Sequence, residues 1–207
     1  MTGGIGSTSF VGFPIFELIY GAKGLEIGIL MSIAGTMLVC MTLGVATGVW
    51  FASEEPSIKY LFWRMLKFPP FIAFIIALYL NFADYQHPMI IKELLQKMSS
   101  PYAIIALLTI GLQIDFTLSK SERKPLVYGL VYKLLLAPLL IYLVLTTFTQ
   151  ADKMIIEIAV LGAAIGSMNL VAIIASQMDL NPSLAAKMVG IGIPISLFTM
   201  YLIHLLL

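Results

Sequence analysis

Charged residues are scarce in this sequence: Asp, Glu, Lys and Arg make up 11% of it, against roughly 25% in a soluble domain. They are also unevenly placed. Residues 27–53, 134–151, 158–178 and 188–207 contain none, and 68–83 and 98–114 are shorter charge-free stretches. A helix of roughly 20 mostly apolar residues crosses about 30 Å of hydrocarbon. With 60% of its 207 residues hydrophobic, the chain reads as an all-α polytopic membrane protein. A water-soluble fold of this length has no room to hide so much apolar surface.

Other absences narrow the function. A net charge of +1 and the lack of a long Lys/Arg run exclude nucleic acid as a partner. A single cysteine, Cys40, rules out an internal disulfide and reads as a small packing residue. The start, Met-Thr-Gly-Gly-Ile-Gly, lacks the basic and apolar regions of a cleavable signal peptide. No HExxH, CxxC or GxxxxGK[ST] occurs, and neither His87 nor His204 has an evident partner for activating a serine. An enzyme, a metal site and a cofactor are therefore not expected.

What is present is a series of seven apolar segments: about 5–20, 25–52, 69–82, 101–116, 125–148, 154–177 and 182–207. Several begin at a proline, a residue suited to the first helical turn, where amide hydrogens are unpaired anyway. Residues 57–67 mix Lys59, Arg64 and Lys67 with aromatic and aliphatic side chains, a composition suited to the headgroup layer. Residues 88–98 alternate Ile90, Ile91, Leu94 and Leu95 with Lys92, Glu93 and Lys97; an interfacial helix and a solvated connector both fit. Seven cations (Lys59, Arg64, Lys67, Lys120, Arg123, Lys124, Lys187) fall on one side against four (Lys23, Lys92, Lys97, Lys153) on the other. The first side is thus expected to be cytoplasmic, with the C-terminus outside. Pairs with GxxxG spacing (Gly24/Gly28, Gly44/Gly48, Gly162/Gly166) favour close helix packing in lipid.

Two segments are interrupted within the membrane. The first reads Gly6-Ser7-Thr8-Ser9-Phe10-Val11-Gly12-Phe13-Pro14, where hydroxyls, glycines and a proline disfavour a continuous helix. The second, Gly162-Ala163-Ala164-Ile165-Gly166-Ser167-Met168-Asn169, places a strongly polar amide in an oily helix. Broken backbone in hydrocarbon is tolerated only against protein or a wet cavity. The structural alternatives are a proline-kinked helix end for the first and a helix-gluing asparagine for the second. At an offset of 157, Met31–Gly35 aligns with Met188–Gly192 and Ser9 with Gly166. Paired interruptions in corresponding positions point to a transporter site.

Within the spans, Lys133 is the deepest charge, nine residues past Lys124, or about 13 Å along a helix. An intramembrane charge is a functional candidate. Lys133 suits neutralising an anion or replacing a coupling cation; its long stem also suits reaching back to the headgroups. Glu17, Glu157 and Asp115 read as interfacial or structural.

The residues 6–14, with Arg64-Met-Leu-Lys-Phe-Pro-Pro-Phe-Ile-Ala73, Ser100-Pro101 leading to Gly111-Leu112-Gln113, Lys133-Leu-Leu-Leu-Ala-Pro138 and Met188–Gly192, resemble in order the auxin efflux carrier (PIN-like) family. The resemblance covers nearly the whole chain. It implies ten helices in two inverted five-helix repeats whose broken helices cross near the midplane. It also implies alternating-access secondary transport of small organic anions, coupled to H+ or Na+, by a homodimer in the plasma membrane. On that pattern the three N-terminal helices are missing. Residues 1–52 then end the first repeat, 53–67 form a cytoplasmic connector, and 68–207 form the second repeat. The family pattern has Asn where this chain has Ser7, and prolines at Gly166-Ser167. The expected substrate-binding residues are Ser7, Thr8, Ser9, Gly12, Pro14, Gly166, Ser167, Asn169 and Lys133. The missing helices and altered break residues also fit a non-transporting paralogue or a partner subunit of a full-length homologue.

Overall fold

The computed structural model describes residues 2–51, 63, 69–99, 101, 104–105, 108, 119–177 and 180–207. Except for Trp63, the basic stretch 57–67 lies outside the described residues, as does most of the expected span 101–116. Among the described residues the regular elements are helices: α1 (Phe13–Leu30), α2 (Val45–Phe51), α3 (Pro69–Phe82), α4 (Met89–Ser99), α5 (Lys120–Val131), α6 (Ala137–Phe148), α7 (Lys153–Ala164), α8 (Asn169–Gln177), α9 (Pro182–Gly190) and α10 (Gly192–Leu206). Wider π-helical turns lead into α1 at Thr8–Gly12, follow it at Met31–Met37 and Cys40–Gly44, and join α5 to α6 at Tyr132–Leu136. Among the described residues, three helical stretches are long and apolar enough to cross a membrane: Thr8–Gly48, Lys120–Phe148 and Pro182–Leu206. The all-α membrane architecture is what the charge-free runs imply.

The first stretch is a hairpin. Gly21 adopts φ +67° and ψ −159°, a conformation that a residue without a Cβ reaches without steric cost. The arms fold back on one another, so that Phe16 packs on Gly28, where an added Cβ would lie 2.6 Å from its ring. Farther along, the Thr8 hydroxyl donates to the Thr36 hydroxyl at 3.1 Å. Gly24 and Gly28 therefore serve the close approach that their spacing suggested.

Helix α5 begins at Lys120 rather than at Pro125. The reason is local: the Ser119 amide and hydroxyl donate to Glu122 Oε2 at 3.2 and 2.5 Å, closing the start of the helix upstream of the proline. The same carboxylate accepts from Lys187 Nζ at 2.7 Å, and Lys187 also reaches Ser183 Oγ at 2.9 Å. This buried pair joins the starts of α5 and α9. A second polar cluster lies where α1, α7 and α10 meet. There the Tyr20 hydroxyl donates to Glu157 Oε2 at 2.9 Å, Lys153 pairs with Glu157 at 3.3 Å, and His204 stacks edge-on to Tyr20 at 6.1 Å.

The main core joins the hairpin to α7, α9 and α10 through Val11, Phe16, Ile158, Leu161, Ile165, Val189, Ile193 and Met200. A second cluster gathers Ile5, Cys40, Val171 and Ile174, which accounts for the lone cysteine as a packing residue. The outward faces of α3 and α6 expose Ile75, Ile76, Leu139, Leu140 and Leu143, as expected of helices bathed in lipid.

The tightest approach occurs at Gly166, where an added Cβ would lie 2.7 Å from Ile193 N and 2.8 Å from Gly192 C. Backbone cannot step aside as a side chain does. Gly166→Ala is expected to destabilise the purified protein by about 1–3 kcal/mol. Gly35→Ala, where nothing lies within 4 Å, should be neutral; thermal unfolding in detergent distinguishes the two.

Candidate functional site

Two unwound segments cross between the helices. Ile5–Ser7 lies between the 3-10 turn Thr2–Gly4 and the turn Thr8–Gly12, and Ile165–Met168 lies between α7 and α8. Gly6 and Ser167 pair as an isolated antiparallel bridge. The Ser7 amide donates to the Gly166 carbonyl at 2.8 Å, and the Met168 amide donates to the Ile5 carbonyl at 3.0 Å. In hydrocarbon each unpaired backbone group costs several kcal/mol, so each break supplies the other's partners.

Both breaks are narrower than the sequence suggested. The first ends at Ser7, and residues from Thr8 onward are helical. Pro14 sits in the first turn of α1 and does not break it. Its missing amide coincides with the π-helical turn, in which Phe13 N donates to the Thr8 carbonyl; the wider ladder absorbs the lost donor. Gly12 belongs to that turn and lets Ile165 approach, with an added Cβ 2.9 Å from its Cδ1. In the second segment, Gly162 to Ala164 complete α7 and Asn169 opens α8. Ser9, Gly12 and Pro14 thus stand on the helix beyond the crossing, while Ser7, Gly166 and Ser167 form the crossing itself.

The hydroxyls of Ser7 and Ser167 are fully buried and, with Asn169 Oδ1, have no hydrogen-bond partner. Buried polar atoms are normally satisfied, so three orphans at one junction mark it as unusual. The crossing also gathers helix ends of both signs. The helical stretch from Thr8 and helix α8 begin here, with a partial positive charge; α7 ends here, with a partial negative charge, and its Gly162 carbonyl accepts from the Ile165 amide.

Beside the crossing lies a cavity of about 500 Å³, bounded by residues 4–8, the second hairpin arm, α6 and the end of α7, with Thr36, Tyr132 and Lys133 contributing polar groups. Among the described lining residues, Lys133 carries the one charged side chain. It sits 13 residues past Lys120 in a 29-residue span, about 20 Å along the helix. The side chain is only 4% exposed. Its Nζ lies against Gly6, 3.2 Å from where a Cβ on that residue would be. Lys133 therefore turns inward to the crossing instead of reaching the headgroups.

Of the expected residues, the structure brings Ser7, Thr8, Gly166, Ser167 and Lys133 together, with Asn169 at their edge. Sequence reasoning placed Gly6 and Gly162 in the interruptions but not among the binding residues, and missed Thr36. An added Cβ on Gly6 would crowd the carbonyls of Gly162 and Ile165 at 3.1 and 3.3 Å, and one on Gly162 would collide with Met31. Thr36 was findable as a hydroxyl within the charge-free run 27–53.

The sequence matches a family described as membrane transport protein over residues 1–204. It is also similar to the uncharacterized transporter MJ1031 of Methanocaldococcus jannaschii. The two are 28% identical over 114 residues, which cover 54% of this chain and 36% of that relative. The matched part is thus about a third of the relative's length.

The hydroxyl contact that closes the hairpin beside the cavity is testable by a double-mutant cycle. Thr8→Val and Thr36→Val, alone and combined, are expected to show a coupling of about 0.6 kcal/mol in unfolding measurements. Additive effects would mean that the 3.1 Å contact contributes nothing.

Proposed function

The chain belongs to the membrane transport protein family, the auxin efflux carrier group its residues resemble, and on that footing we propose that it carries small organic anions by alternating access. The observation that carries this reading is the pair of crossed breaks opening on a cavity with Lys133 as its charged residue. Helix starts at Thr8 and Asn169 offer partial positive charge to a carboxylate. The unpartnered Ser7, Ser167 and Asn169 side-chain oxygens supply hydrogen-bonding capacity beside them, and the Lys133 ammonium supplies full charge. The cavity's volume lies within the usual range for small-molecule sites.

Alternating access needs an element that opens to each side in turn around a fixed site. The two interruptions, paired backbone to backbone, support an inverted-repeat arrangement of this kind. The sorting of polar clusters supports the proposed orientation. Glu122, Lys187 and Ser183 meet at the end rich in cations, and Tyr20, Lys153, Glu157 and His204 meet at the opposite end. We place the first end in the cytoplasm and the C-terminus outside, with the carrier acting as a homodimer in the plasma membrane and performing no covalent chemistry.

Purified protein in liposomes is expected to take up labelled mono- or dicarboxylates saturably, and Lys133→Met should lower that uptake by about tenfold or more. Ohmic, non-saturating current would instead favour a channel. Uptake seen only after co-reconstitution with a full-length homologue would favour a partner subunit.

A further inference from the structure

Helix α4 has an apolar face that the rest of the described protein leaves uncovered. None of its residues is buried, and Ile90, Ile91, Leu94, Leu95 and Met98 are all exposed. At about 100° of turn per residue, these five fall within an arc of about 140° that holds no polar side chain. Lys97 stands at one margin of the arc, and Ser99 and Lys92 stand at the other. Glu93 and Gln96 occupy the opposite face, with Met89 between them. An apolar stripe of this width normally faces a partner, and five neighbouring aliphatic side chains form the kind of patch that marks an interaction surface.

The course of the chain says what covers it. Helix α4 follows the lipid-facing helix α3 after residues 83–88. At the end of α3 the Tyr85 amide donates to the Leu80 carbonyl at 3.0 Å and the Asp84 amide to the Asn81 carbonyl at 3.1 Å. Asp84 adopts φ +48°, the left-handed residue that stops a helix in this motif. Tyr79, Phe82 and Tyr85 are exposed around that turn. Aromatic rings at the end of a membrane helix sit at headgroup level, so the turn marks where the chain leaves the hydrocarbon. The Pro88 carbonyl then accepts from the Ile91 and Lys92 amides at 2.9 and 3.1 Å, and α4 begins there. The exposed apolar surface of Ile72, Ile75 and Ile76 is thus followed along the chain by the aromatic rings and then by the arc of α4.

We propose that α4 lies in the headgroup layer of the bilayer that the protein spans, with its apolar arc toward the hydrocarbon. Lys92 and Lys97 then lay their stems along the margins of the arc and raise their ammoniums to lipid phosphates, while Glu93 and Gln96 stay in water. Phosphates border an interfacial helix along both margins, which is where α4 carries its cations, so charge complementarity selects lipid as the occupant. Seated this way, α4 holds the end of α3 at the membrane surface. The inference needs only that the chain is a membrane protein and is independent of the carrier reading.

The test is spin labelling of the full chain in liposomes of phosphatidylcholine and phosphatidylglycerol. In a Cys40→Ala background, single substitutions Ile91→Cys, Glu93→Cys, Leu95→Cys and Gln96→Cys each carry one label. Its exposure is read by power saturation with oxygen, which concentrates in lipid, and with a water-soluble nickel chelate. Should Cys40→Ala fail to fold, Cys40 is retained, since its thiol is buried and shielded from the label. Labels at 91 and 95 are expected to show an oxygen-to-nickel accessibility ratio several-fold higher than labels at 93 and 96. Equal nickel access at all four positions means a solvated connector and overturns the proposal. Labels at 91 and 95 shielded from both reagents mean that a protein surface covers the arc, which overturns it as well. Oxygen access at all four positions means that α4 sinks into the hydrocarbon, and this too overturns it.

Discussion

Everything in this structure depends on how two pieces of unwound backbone survive in a medium that offers no hydrogen bonds. An amide or carbonyl left unpaired in hydrocarbon is costly enough to exclude most irregular structure from membranes. The chain meets the constraint by reciprocity: Ser7 donates to Gly166, and Met168 donates to Ile5. Neither break is tenable without the other. The pairing also demands close approach, which is why Gly166 lies against the backbone of Gly192 and Ile193 and why Gly6 lies against the carbonyls of α7. A side chain at either place would separate the segments and strand their polar groups.

That arrangement has an electrostatic consequence. Breaking a helix exposes ends that a continuous helix would hide, and crossing two broken helices brings ends of both signs to one place. The chain's other described polar side-chain clusters stay near the helix ends. Glu122, Lys187, Ser119 and Ser183 lock α5 to α9, while Tyr20, Glu157, Lys153 and His204 tie α1, α7 and α10. Lys133 alone among the described cations is committed to the centre, buried beside Gly6 at the crossing. A membrane transport protein built this way keeps its paired charges at the rims and a single buried lysine at the crossing.

Much of this was legible in the residues. Charge-free runs marked the spans because a charge is expensive to hold in lipid, and α3 follows the expected bounds of 69–82. The two interruptions were visible as clusters of hydroxyls and glycines in oily surroundings. Their limits were not. Proline was expected to break the first helix, but Pro14 is absorbed by a widened turn in which Phe13 bonds back to Thr8. Pro125 was expected to open a helix, but the Ser119–Glu122 contacts open it earlier. In both cases a hydrogen bond made by neighbouring residues outweighed the local preference of proline.

The sequence by itself determined the solvent in which the protein lives, the family to which it belongs and the neighbourhoods where its helices fail. Those properties follow from hydrophobicity and local backbone preference, which each short segment carries with it. Only the tertiary structure decided that the two failures meet, that Thr36 faces Thr8 across a hairpin, and that Lys133 points inward. Partners separated by 28 residues for the threonines, or by more than 150 for Ser7 and Gly166, are chosen by packing. Whether a long, flexible lysine turns toward headgroups or toward the interior depends on the space that the fold leaves beside it, which here lies against Gly6.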